Sequence, residues 1–206
     1  MGHRLDNGSC MSGDVHVQFC ERLWGKFPRA THLVVLCKRG TDRPLAIVKQ
    51  VLDKLSLTLN EAKSRTVNAH KESFRFLGFE LRMRRSWRTG NTYPHVQPAK
   101  KSLKKVKDRI TYLTQRRMTP VPLEDVMENI NSTLRGWVGY FHYRNSLKAL
   151  ASVKTHAEER LRTHLRKRHK VRDRLAGYKR FSSRILYERY GLYKVPTTAG
   201  WKKAHV

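Results

Sequence analysis

The apolar positions of this chain change period near residue 98. Before it they fall in short runs or alternate with polar residues, as in strands; after it they recur every three to four residues, as in helices. Leu33, Val34, Val35, Leu36 and Cys37 form a run of buried-strand type. Thr41, Asp42 and Pro44 then open a helix in which Leu45, Val48, Val51, Leu52 and Leu55 share a face, and Leu57-Thr58-Leu59 reads as a second short strand. Phe74, Phe76, Phe79, Leu81 and Met83 alternate with charged residues, and the slip of phase at Leu77-Gly78 suggests a bulge or a close backbone approach. Thr89-Gly90-Asn91 is a turn, and residues 92–97 return from it as an edge strand that tolerates Pro94. Residues 1–27 stay ambiguous: Gly2, Gly8 and Gly13 read as loop, and VHVQFCERLW fits a short helix or a short strand.

After Pro98 three amphipathic helices follow. The first carries Leu103, Val106, Ile110 and Leu113 on one face, with lysines around the rest, and the prolines at 120 and 122 end it. The second carries Leu123, Val126, Met127, Ile130, Leu134, Trp137, Val138 and Phe141, with Glu124 and Asp125 in its first turn, where the helix dipole favours anions. The third carries Leu147, Leu150, Val153, Ala157, Leu161 and Leu165. Three such helices with short links bury their stripes against one another. Strands followed by helices predict an α+β fold.

Charge adds a partner to this picture. The chain holds 44 Lys+Arg against 16 Asp+Glu, a net charge of +28. Residues 1–79 carry only +6 of it and residues 80–206 carry +22. Repulsion on that scale calls for a polyanion, nucleic acid first and anionic lipid second. Cys10, Cys20 and Cys37 are odd in number and form no CxxC pair, which argues against a disulfide framework and against a cysteine zinc site. No apolar run reaches the ~20 residues of a membrane span, and the first residues lack the apolar stretch of a signal peptide. These features predict a soluble cytoplasmic protein with no cofactor, no metal and no membrane partner; nothing in them fixes an oligomeric state.

Several runs resemble group II intron-encoded reverse transcriptases, in the order those proteins have them. RATHLVVLCK resembles the strand–turn–strand that carries the polymerase YADD box, LTLNEAKSR the segment after the following helix, and FRFLGFEL the primer-grip region that closes the palm. LRGWVGYF, residues 134–141, resembles the signature of the maturase-specific thumb or X domain, and YGLYKVPTTAGWKKAHV resembles the tail of that family. The resemblance implies a divergent segment at 1–27, a truncated antiparallel palm remnant of three to five strands at 28–97, a three-helix thumb-like domain at 98–175 and a basic aromatic tail at 176–206. Arg29, Ala30, Thr31 and His32 stand where the family has Tyr, Ala, Asp and Asp. Polymerases use those carboxylates to hold two Mg²⁺ ions about 3.5–4 Å apart, and a Thr–His pair cannot replace them. The chain is therefore expected to lack reverse transcriptase activity. Asn60, Glu61 and Lys63 match a segment whose lysine assists polymerases, and with no metal site they read as a turn.

The function implied is that of a maturase: binding structured intron RNA and holding its splicing-competent fold, with no catalytic residue and no metal of its own. Candidate RNA-binding residues are Lys100, Lys101, Lys104, Lys105, Arg109, Arg116 and Arg117 around the first helix. Arg135, Tyr140 and Arg144 flank the LRGW segment, where Trp137 reads as a core aromatic and Gly136 as a site of close helix packing. Residues 160–172 add Arg160, Arg162, Arg166, Lys167, Arg168, Lys170 and Arg172 with no acid among them. His164 and His169 read as extra donors or plain surface, and Glu158-Glu159, being adjacent, point about 100° apart and form no catalytic pair. Two other readings fit the same residues: non-specific DNA binding, and a decayed intron-protein fragment without a selected role.

Overall fold

The structure is a computed structural model, and it describes residues 16–20, 23–24, 33–37, 40–59 and 64–198. Arg29, Ala30, Thr31 and His32, Asn60, Glu61 and Lys63, most of 1–27, and the last eight residues lie outside the described residues. The chain is mixed helix and strand, and it divides into two units, Met1–His95 and Val96–Val206.

The first unit holds the strands, except for the last three residues of the final one, which fall in the second unit. β1 (His16–Cys20), β3 (Leu33–Cys37) and β5 (Arg65–Asn68) form one sheet in the order β3-β1-β5, antiparallel throughout. β2 (Leu23–Trp24) pairs with β4 (Thr58–Leu59), and α1 (Asp42–Lys54) lies between β3 and β4 in sequence. β6 (Phe74–Phe76), β7 (Phe79–Arg85) and β8 (Thr92–Pro98) form a third sheet in that order, which leaves β8 at an edge and so accommodates Pro94. Six strands, β3 to β8, thus begin within residues 28–97, where three to five were expected. The ambiguous VHVQF segment is a strand, and a central one.

The slip at Leu77-Gly78 is a hairpin turn, not a bulge. Phe76 pairs with Phe79, so the loop has two residues, and both have positive φ (46° and 81°) as a type I′ turn requires. Reversal through two residues puts the Phe74–Leu81 and Phe76–Phe79 pairs on one face, where Phe74 and Met83 are buried with Val67 and Ala69. On α1, Leu52 is buried, whereas Val51 and Leu55 of the expected apolar face are exposed together with Ile47.

The second unit is built on α2 (Lys100–Leu113), α3 (Leu123–Phe141) and α4 (Leu147–Arg168), as the 3.6-residue period predicts. A 3-10 turn at Arg116–Met118 carries the chain from α2 towards α3. Ile110, Ile130, Leu134, Leu150, Leu161 and Leu165 are fully buried in one core. The segment expected as a tail joins that core. It forms α5 (Arg174–Arg180) and α6 (Ser183–Glu188), and Phe181, Leu186, Leu192 and Val195 are buried with the three long helices. Asn131, buried on α3, fixes the chain after α6: its Nδ2 donates to the Gly191 carbonyl at 2.8 Å, and its Oδ1 accepts from the Tyr193 amide at 2.7 Å. Gly191 has the positive φ (63°) that this turn demands.

Candidate nucleic-acid interface

The cations of the helical unit fall into two sets with different duties. One set is tied into the fold. Arg162 is only 6% exposed; its Nε donates to the Phe181 carbonyl at 2.9 Å, its Nη1 is paired with Glu159, and its guanidinium lies 4.4 Å from the Tyr178 ring centroid. Arg160 donates to Thr114 Oγ1 at 3.1 Å and to the Thr111 carbonyl at 3.3 Å, and so fastens α4 to the C-terminal end of α2. Arg168 Nη1 donates to the carbonyls of Thr119 and Val121 at 2.8 and 2.7 Å and so holds the α2–α3 link. The stem of Arg166 crosses Gly177, where a Cβ would sit 2.6 Å from its Cδ. Lys107 donates to Ser152 Oγ at 2.6 Å, and His156 Nε2 lies 3.0 Å from Thr111 Oγ1, so both tie α2 to α4.

The adjacent carboxylates also serve the fold. Glu159 accepts from Tyr178 on α5 at 2.6 Å, whereas Glu158 accepts from Ser183 at 2.9 Å and from Tyr187, both on α6. Each therefore fastens a different short helix. Burial, and then the bond to Glu158, pushes the Tyr187 hydroxyl well above the usual tyrosine range. Burial lowers the pKa of His156, His164 and His169, and neighbouring arginines push each the same way. His164 is fully buried, so it is not a surface donor. Among the described residues no group of three or more His, Cys, Asp or Glu could hold a metal ion. No described helix is long and apolar enough to cross a membrane.

The second set faces solvent. Lys100, Lys101, Lys104, Lys105 and Arg109 are exposed along α2, Arg116 and Arg117 on the 3-10 turn, Arg135 on α3, and Lys167, Lys170 and Arg172 at and beyond the end of α4. Two of them bracket an aromatic absent from the sequence-based candidates: Arg117 lies 4.3 Å and Arg109 5.5 Å from the centroid of exposed Tyr112. Arg144, half-buried and in a left-handed conformation, donates from Nε to Tyr143 Oη at 2.8 Å.

Helices α2 and α3 enclose a groove of about 400 Å³, in which Ser102, Lys105 and Arg109 face Thr133, Trp137 and Phe141. Trp137 is half-buried, packs on the core and lies 4.9 Å from Phe141, so it serves core and groove together. Beside the groove, Ser132, Arg135, Gly136, Gly139 and Tyr140 are exposed on α3 at the spacing of one helix face. Gly136 does not serve close helix packing: a Cβ there, or at Gly139, would meet nothing within 4 Å. The two glycines instead leave a bare strip of helix backbone open to solvent, ending at Tyr140.

These features define a basic helical domain with an aromatic-walled groove between two helices and a row of exposed cations on one of them. Residues 103–181 match the family model of the group II intron, maturase-specific domain. Most of the helical unit is thus similar to the maturase-specific domain of group II introns. The match begins within α2 and ends just after α5. No curated protein matches the chain.

Proposed function

We propose that this protein binds structured intron RNA through the exposed side of α2 and the bare strip of α3, and assists splicing without polymerase chemistry. The observation that carries this reading is the convergence of α2 cations with the LRGW helix: Lys105 and Arg109 share a groove with Trp137 and Phe141. Lysine and arginine rows neutralise closely spaced phosphates, while aromatics accept unpaired bases. Glycines on an exposed helix face let a sugar–phosphate backbone approach closely. Arg160, Arg162 and Arg168 serve the fold in this reading, and Lys167, Lys170 and Arg172 form a second, smaller row of cations. The strand unit stands as a palm remnant and the helical unit as a thumb. Thr31 and His32 replace two metal-binding aspartates, so the chemistry of splicing belongs to the RNA.

The test is a competition at physiological salt between a folded group II intron RNA and duplex DNA of equal phosphate count, followed by splicing of that intron with and without the protein. Preferential RNA binding with faster splicing supports the reading. Equal affinity for duplex DNA replaces it with non-specific DNA binding. Primer extension above a protein-free control in Mg²⁺ or Mn²⁺ would overturn the non-polymerase part.

A further inference from the structure

The hairpin turn between β7 and β8 holds a tryptophan out in solvent. Trp87 is 94% exposed, far more than any other large apolar side chain described. An indole so placed contributes nothing to the core, yet it is the largest apolar side chain available. The turn beneath it is closely braced. Ser86 and Asn91 close it with an N–H···O bond of 2.8 Å, Gly90 donates back to the Ser86 carbonyl at 2.9 Å, and Ser86 Oγ accepts from the Thr89 amide at 3.2 Å. Arg85 Nε donates to the Gly90 carbonyl at 2.9 Å, and Gly90 takes the positive φ (70°) that the turn needs. The tryptophan thus stands on a defined platform.

Its surroundings say what kind of ligand fits. Arg84, Arg85 and Arg88 are all exposed within three residues of it, and no acidic residue occurs between Glu80 and Asp108. A flat apolar face amid positive charge matches a nucleobase attached to phosphates: the base stacks, and the guanidiniums take the neighbouring phosphates. A membrane surface fits less well. The other residues of the turn are Ser86, Thr89, Gly90 and Asn91, so no second apolar side chain accompanies the indole into a bilayer. A stem of paired bases offers no free π-face, whereas a bulge or a loop does.

We propose that Trp87 stacks on an unpaired base of the bound RNA, with Arg84 and Arg88 on its flanking phosphates. This rests on the RNA reading above only for the identity of the ligand; the site lies outside the matched maturase-specific segment. The experiment uses the full chain and two RNAs of equal phosphate count, one fully paired and one carrying a bulge with 2-aminopurine at the unpaired position. Trp87→Ala is expected to weaken binding to the bulged RNA by about 5- to 100-fold, leaving the paired RNA and the melting temperature unchanged. Trp87→Phe should keep most of the affinity, and wild-type protein, unlike Trp87→Ala, should quench the 2-aminopurine. Arg84→Gln with Arg88→Gln should weaken both RNAs and flatten the salt dependence by about one to two units. Wild-type affinity of Trp87→Ala for the bulged RNA overturns this proposal alone, as does equal weakening on both RNAs. Binding of wild type but not Trp87→Ala to anionic phospholipid vesicles, with RNA binding unaffected, overturns it in favour of a membrane contact. Wild-type protein that binds neither RNA overturns the RNA reading and this proposal together.

Discussion

Replacing Gly136 and Gly139 together by alanine should stabilise the protein and weaken its hold on RNA. Both residues sit inside α3, where glycine costs roughly 0.8–1.0 kcal/mol relative to alanine because its backbone loses more freedom on folding. That cost normally persists because a neighbouring helix needs the space. Here a Cβ at either position would meet nothing within 4 Å, so no clash offsets the gain in helix propensity. The double variant should therefore gain about 2 kcal/mol, and its melting transition should rise by about 4–8 °C for a chain of this size. If the RNA backbone lies against this strip, the two methyl groups hold it off, and affinity should fall about tenfold, or about 1.4 kcal/mol. No charge changes, so the salt dependence should keep its slope. Thermal circular dichroism and titration of folded intron RNA at several salt concentrations test both halves. A destabilised variant would refute the open-space argument. A stabilised variant with unchanged RNA affinity would remove α3 from the interface and leave α2 alone.

Three further outcomes follow from the division of cations. Changing Lys100, Lys101, Lys104 and Lys105 to glutamine should flatten the log–log salt dependence of RNA binding by up to about three to four units; an unchanged slope would move the phosphate contacts off α2. Arg162→Ala should destabilise the fold by about 3 kcal/mol, the low end for breaking a buried pair because the Glu159 carboxylate is partly hydrated, whereas exposed Lys167→Ala should leave the melting temperature in place; urea unfolding of the two variants compares them directly, and equal stability would contradict it. Burial holds the pKa of His164 below its unfolded value of about 6.5, so the unfolded chain takes up a proton that the fold refuses. Stability should thus fall as the pH drops below about 6.5, by up to about 1.4 kcal/mol per pH unit for this group, and His164→Asn should flatten the fall; identical pH profiles would sink the assignment.

The long elements were legible because their signals repeat. Helices α2, α3 and α4 each carry an apolar stripe over three or more turns, and the structure places them where the period does. The elements that escaped are short or depend on distant partners. β5 spans four residues with a single buried apolar side chain, Val67, too few for a period to emerge. β1 shows its identity only through pairing with β3 and β5. Helices α5 and α6 are one to two turns long, and each hangs on a carboxylate of α4, a dependence no local pattern records. The Leu77-Gly78 slip was visible, but a bulge and a two-residue turn disturb the alternation alike; pairing of Phe76 with Phe79 decides between them.

The cations show why a charge run is weaker evidence of an interface than its count suggests. Residues 160–172 hold seven Lys and Arg, enough to read as one phosphate-binding row. Helical phase divides them. Val153, Ala157, Leu161 and Leu165 mark the buried stripe of α4, and steps of three and seven from those positions land on Arg160, His164 and Arg168. These are the residues the structure turns inward, Arg160 and Arg168 onto backbone carbonyls and His164 into the core. Arg162 beside Leu161 follows them, and Lys167, on the far side, stays exposed. Even the last turn has a structural use for its charge, because cations there oppose the negative end of the helix dipole. Phase combined with charge would have divided this run from sequence alone. The same criterion leaves α2 as the stronger face: Lys100, Lys101, Lys104, Lys105 and Arg109 all lie off the Val106–Ile110–Leu113 stripe, and all are exposed. The RNA surface is therefore expected to centre on α2 and the glycine strip of α3, and the arginine-rich end of α4 to act mainly as the clasp that holds those helices in place.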